Sequence, residues 1–94
     1  MYLEKTLSEL TDRITRARED LHIIEEQLLF QMDVLEDAKS RMLVSETPLS
    51  ERTHREARDD WQRLVRQRER ALGDIAELQK EQDRLLDRML RAKT

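Results

Sequence analysis

Two four-residue motifs in this chain have the spacing of a metal site. Glu19-Asp20-Leu21-His22 and Glu51-Arg52-Thr53-His54 both read Glu-x-x-His, the arrangement by which helices of carboxylate-bridged metal bundles present two ligands on one face. A second chemistry is suggested by seven arginines within residues 51–70: Arg52, Arg55, Arg58, Arg63, Arg66, Arg68 and Arg70. A basic helix of this kind can meet phosphates. Glu51, Glu56, Asp59, Asp60 and Glu69 in the same stretch reduce its excess to +2, so a solvated, salt-bridged face is the plainer reading. The carboxylate pairs Glu25-Glu26, Glu36-Asp37 and Asp59-Asp60 are sequence neighbours. Acid–base work needs two groups that converge on a substrate, and nothing here makes them do so. Ser/His/Asp sets, Cys/His sets and glycine-rich phosphate loops are missing from the sequence.

Whether any of these groups meet depends on the elements that carry them, and those are legible. Leu3, Leu7, Leu10, Ile14, Ala17, Leu21, Ile24, Leu28, Gln31, Leu35, Ala38 and Met42 recur at alternating spacings of four and three. After the only proline, Ala57, Trp61, Leu64, Arg68, Ala71, Ile75, Leu78, Gln82, Leu85, Met89 and Ala92 repeat the pattern. A repeat of about 3.5 residues is the a/d seam of a coiled coil. The expected fold is therefore all-α: a long antiparallel two-helix coiled-coil hairpin over residues 1–94, with two hairpins pairing into a four-helix bundle. One glycine, one proline and 3% aromatic residues suit long helices better than a globular core.

The break in helical character runs from Val44 to Thr53 around Pro48. Thr53-His54-Arg55-Glu56 has the form of a capping box, while Thr47-Pro48 is a rival start with proline at the first helical position. The later start is favoured, which gives helix 1 at about 2–44, a turn at about 45–53 and helix 2 at about 54–92. In an antiparallel pair, facing residue numbers total a constant. A total of 99 sets Gln31 against Arg68 and Ala38 against Trp61, so that polar meets polar and small meets large. The rival total of 92 sets Arg68 against Ile24 and Gln82 against Leu10, stranding polar groups on apolar layers. The total of 99 is therefore expected, with Gln31, Arg68, Trp61 and Ala38 setting the register. In it Glu19 and His22 lie at f and b positions off the seam, and His22 stands level with Glu77, more than 20 residues along helix 2 from His54, so two surface histidines are expected and no metal or other cofactor. Gly73 falls on the outer face of helix 2.

The seam does not account for every apolar residue. Nine of the fifteen residues from Leu21 to Leu35 are hydrophobic. Ile23, Phe30 and Val34 fall at c and g positions to one side, whereas Met32, Val65, Leu72 and Leu86 fall at e positions on the other. A helix apolar over most of its circumference expects a partner. The residues expected to form a protein interface are Ile23, Phe30, Val34, Met32, Val65 and Leu72, with a homodimer as the simplest arrangement and an unidentified protein as the other occupant. At the hairpin tip, Leu43, Val44 and Leu49 form a possible contact near Glu46 and Glu51.

The expected function is a non-enzymatic coiled-coil interaction, adaptor or scaffold module that self-associates through the middle of helix 1. The alternative is a regulator associated with nucleic acid or RNA polymerase, acting through the Arg52–Arg70 face or the tip, as acidic-tipped hairpins enter a polymerase channel. The chain lacks the Trp-x-Gly turn of secreted WXG-type hairpins. Its seam offers Arg68 alone where helical chorismate mutases converge several cations. The net charge of −3 is uneven, −5 over residues 1–47 and +2 over 48–94, which favours mutual pairing of the helices. There is no cysteine, apolar span or signal-peptide core in the sequence, so a cytoplasmic location without membrane contact is expected.

Overall fold

The computed structural model describes residues 2–93. It consists of two helices, α1 (Tyr2–Ser45, 44 residues) and α2 (Pro48–Lys93, 46 residues), and among the described residues only Glu46 and Thr47 lie outside them. The chain is all-helical and folds as a two-helix hairpin.

The turn is much shorter than the ten-residue break in the sequence suggests. Glu46 closes α1 in the left-handed region, with φ at 45°, and its N–H donates to the Met42 carbonyl at 3.0 Å, satisfying one of the last-turn acceptors. Thr47 then caps α2. The Ser50 N–H donates to Thr47 Oγ1 at 3.1 Å, and the Thr47 N–H donates back to Ser50 Oγ at 3.0 Å. This is a reciprocal capping box with serine in place of the usual glutamate, and Pro48 fills the first helical position, where its missing N–H costs nothing. The expected start near residue 54 is thus corrected to Pro48. Thr53, expected to cap, instead donates its hydroxyl to the Leu49 carbonyl at 2.9 Å inside the helix. Glu56 accepts a bond from Arg52 Nε at 3.1 Å.

An earlier start lengthens the stripe of α2. Ser50 and His54 are half-buried and extend the three-and-four spacing back from Ala57. His54 is therefore a seam residue rather than the surface residue its motif suggested, whereas His22 stays exposed beside Glu26.

Contacts gather into two compact units, residues 22–69 and residues 1–21 with 70–94. In the first, Arg68 Nε reaches Glu25 Oε2 at 3.4 Å and Gln31 Nε2 donates to the Ala57 carbonyl at 3.1 Å. Arg41 and Thr53 border one recess. In the second, Leu10, Ile14 and Leu85 form a buried cluster against which Leu3, Leu7 and Leu78 pack. Gln82 Nε2 donates to Thr11 Oγ1 at 3.3 Å, and Arg13 and Glu81 border one recess.

These pairs fix the register in each unit. Glu25 with Arg68 and Thr11 with Gln82 both total 93, one away from 92 and six away from 99. The expected total of 99 is overturned. Gln31 does not face Arg68, and Ala38 does not face Trp61. The objection to 92 was that it strands Arg68 and Gln82 on apolar layers. Both escape it by leaning one residue aside, Arg68 to Glu25 and Gln82 to Thr11, and Arg68 keeps its head group partly in water. The two-residue turn centred between Glu46 and Thr47 favours the same register, because it leaves no slack for a seven-residue slip.

Candidate protein-interaction surface

All twelve seam positions of α1 named by the repeat are buried or half-buried, as are those of α2 from Ala57 to Met89; Ala92 is exposed. Only Leu10, Ile14, Ala38, Ala57, Ile75 and Leu85 are buried apolar residues, and no described side chain is enclosed below 2% exposure. Each helix thus spends one stripe on the other, as a coiled-coil pair does, and the large apolar residues off that stripe, Val65 apart, are exposed.

In the 22–69 unit these outward residues concentrate on α1. Phe30 is 70% exposed, Ile23 53% and Val34 37%. Ile23 and Phe30 line one open groove with Glu26, Gln27, Gln31 and Leu64. The structure therefore brings Ile23 and Phe30 together, with Val34 one helical turn beyond Phe30 on the same stripe. Met32 is exposed on the opposite flank of the seam, where Val65 is half-buried. Leu72, named with them from the sequence, belongs to the other unit and is exposed there.

Leu29, also largely exposed, was missed. It stands at a b position, outside both periodic stripes, and the signal that could have found it is the unbroken run Leu28-Leu29-Phe30. Leu29 borders a shallow recess with Glu25, Leu28 and Arg68. Tyr2 and Leu90 in the other unit are exposed as well. At the turn Leu43, Val44 and Leu49 are all exposed, and Leu49 borders the recess that holds Arg41 and Thr53.

The register residues separate into different roles. Ala38 is buried near the turn. Gln31 bonds to the backbone of α2, and Arg68 forms an ion pair whose two side chains are 43% and 45% exposed; pairs this wet contribute a fraction of a kcal/mol. Trp61 is half-buried with its indole N–H shielded from solvent, and that N–H has no hydrogen-bond partner among the described residues.

Within the arginine-rich stretch, Arg52 pairs with Glu56 at 3.1 Å, Arg58 with Asp59 at 3.8 Å and Arg63 with Asp60 at 2.9 Å. With Arg68 on Glu25, four of the seven arginines are engaged by carboxylates of the chain itself. Among the described residues no three His, Asp or Glu side chains gather as metal ligands, and no helix is long and apolar enough to cross a membrane. Compared with family models, curated proteins and solved structures, the chain matches none.

Proposed function

We propose that this chain is a non-enzymatic interaction module, acting as an adaptor or scaffold, which self-associates through the middle of α1 so that two hairpins form a four-helix assembly. The observation that carries this reading is the outward stripe of Ile23, Phe30 and Val34 on a helix whose inward face is already occupied by α2. A large exposed aromatic between two branched aliphatics is uncommon on a surface meant for water, and such contiguous apolar patches mark contact sites. A two-helix pair with six buried apolar residues also gains from a further layer, since a single small core barely offsets the entropy of ordering the chain. Four of the seven arginines between residues 51 and 70 are engaged by carboxylates of the chain itself, which favours a protein partner over a nucleic acid.

Sedimentation equilibrium over a wide concentration range tests this. The wild-type chain is expected to show a dimer, and Phe30→Glu with Val34→Glu is expected to return it to monomer with its helical circular dichroism retained. A mass that the double substitution leaves unchanged refutes the proposed surface.

A further inference from the structure

The chain carries two helix starts for α2 and two ways of matching its seam to α1. We propose that the hairpin is a register switch, in which unwinding residues 48–53 lets Thr53 cap α2 and advances α2 by one heptad along α1. The observed start uses Thr47, Pro48 and Ser50. Six residues later, Thr53-His54-Arg55-Glu56 has the form of a second capping box. It stands idle inside the helix, with its threonine on the Leu49 carbonyl and its glutamate on Arg52. A turn that ends at Thr53 supplies the slack that the two-residue turn lacks. Self-association plays no part in this.

The observed register is poorly matched beside the turn. At a total of 92 the layers of the 22–69 unit are Met42–Ser50, Ala38–His54, Leu35–Ala57, Gln31–Trp61, Leu28–Leu64 and Ile24–Arg68. Four of these six set a polar residue on an apolar one, which costs free energy wherever the polar group is not re-paired. Two of the four show the strain of it. Arg68 leans out of its layer to Glu25, Gln31 donates to the Ala57 carbonyl, and the indole N–H of Trp61 is shielded without a partner. In the other two, Ser50 and His54 are half-buried. At a total of 99 the layers with both members in this unit are Met42–Ala57, Ala38–Trp61, Leu35–Leu64 and Gln31–Arg68. Three are wholly apolar, one is wholly polar, and Ser50 and His54 leave the seam for water.

The other unit does not decide between the two. There Leu10–Gln82 is the one mixed layer at a total of 92, and Ala17–Gln82 is the one at 99. What holds the observed register is the early start of α2, which adds a first turn capped by Thr47 and Ser50. The turn thus works against the preference of the seam beside it. Totals between 92 and 99 rotate the stripes away from each other, so the two registers are discrete states rather than a continuum. An event that keeps residues 48–53 extended favours the second state alone. It would carry α2 about 10 Å along α1, seven residues at 1.5 Å each, and so convey a local change at the turn along the length of the helix.

The experiment releases the first turn of the full chain with Leu49→Gly, Ser50→Gly and Glu51→Gly, and reads the register with two cysteine pairs. Leu35→Cys with Ala57→Cys reports a total of 92, and Leu35→Cys with Leu64→Cys reports 99. Closure is followed by non-reducing electrophoresis of dilute protein, so that only rings within one chain are counted. With the native turn, 35/57 closes and 35/64 stays reduced. In the released chain the order is expected to reverse, 35/64 closing about tenfold faster or more, with helical circular dichroism retained apart from the unwound residues. Adding His54→Leu and Arg68→Leu, which makes two layers of the observed register apolar, should return the faster closure to 35/57. Equal closure of the pairs, or faster closure of 35/57, in the released chain overturns the switch, because no second register is then preferred. A preference for 35/64 that survives His54→Leu with Arg68→Leu overturns it as well, since layer matching is then not the cause. So does loss of helical circular dichroism in the released chain, because a chain with a second competent start keeps its hairpin.

Discussion

The seven-residue difference between the two registers can be measured with a pair of introduced cysteines, because the chain has none of its own. In the observed register Leu35 stands level with Ala57; at a total of 99 it would stand level with Leu64. Seven residues of helix correspond to an axial offset of about 10 Å, and a disulfide tolerates Cα separations only up to roughly 7 Å. Leu35→Cys with Ala57→Cys should therefore close readily under mild oxidation, whereas Leu35→Cys with Leu64→Cys should stay reduced in the folded chain. The closed ring spans residues 35–57, and restricting the unfolded chain to it should add up to about 3 kcal/mol in the loop-entropy account. Non-reducing electrophoresis gives the closure rates, and urea unfolding of the oxidised and reduced forms gives the stabilisation. Faster closure of the 35/64 pair, or an oxidised 35/57 pair less stable than its reduced form, would refute the register.

Three further outcomes follow from positions whose surroundings are fully specified. A Cβ at Gly73 would meet nothing within 4 Å, so Gly73→Ala should stabilise the hairpin by about 1 kcal/mol, the helix-propensity difference, as read from the urea midpoint. Glu46→Gly should stabilise by a similar ~1 kcal/mol because the positive φ at that residue disfavours any side chain; a loss of stability would show that the turn is held by the glutamate side chain. Thr47→Ala removes the hydroxyl that receives the Ser50 N–H and should cost about 1 kcal/mol, whereas Thr53→Ala, at the rival box, should change little.

The two helices and their buried stripes were legible because a coiled-coil seam is written as a periodicity, and every α1 position named by that periodicity turned inward. The outward exposure of Ile23, Phe30 and Met32 followed from the same arithmetic. The register was not legible, and the reason is local. Matching Gln31 to Arg68 treats a side chain as a point at its own Cα, but an arginine spans more than a helical turn. Arg68 left its layer for Glu25, and Gln31 took a backbone carbonyl instead. Once long polar side chains can move one position sideways, polarity matching within layers loses its power to choose a heptad. The turn held the better information. Thr47-Pro48-Leu49-Ser50 carries a cap, a proline at the first helical position and a reciprocal hydroxyl, and the sequence ranks it only as the rival start because Thr53-His54-Arg55-Glu56 has the glutamate of the recognised box. Starting α2 there would have brought Ser50 and His54 into the stripe and selected the shorter turn.

Trp61 gives this molecule an optical handle that the rest of the fold does not supply. It is the only tryptophan in the chain, it stands on the α2 stripe that packs against α1, and its indole N–H is sealed from solvent, while the outward stripe lies on a different face of a different helix. Its emission should be blue-shifted in the closed hairpin and move to the red only when α1 and α2 part. Fluorescence at one wavelength would thus follow the parting of α1 from α2 directly.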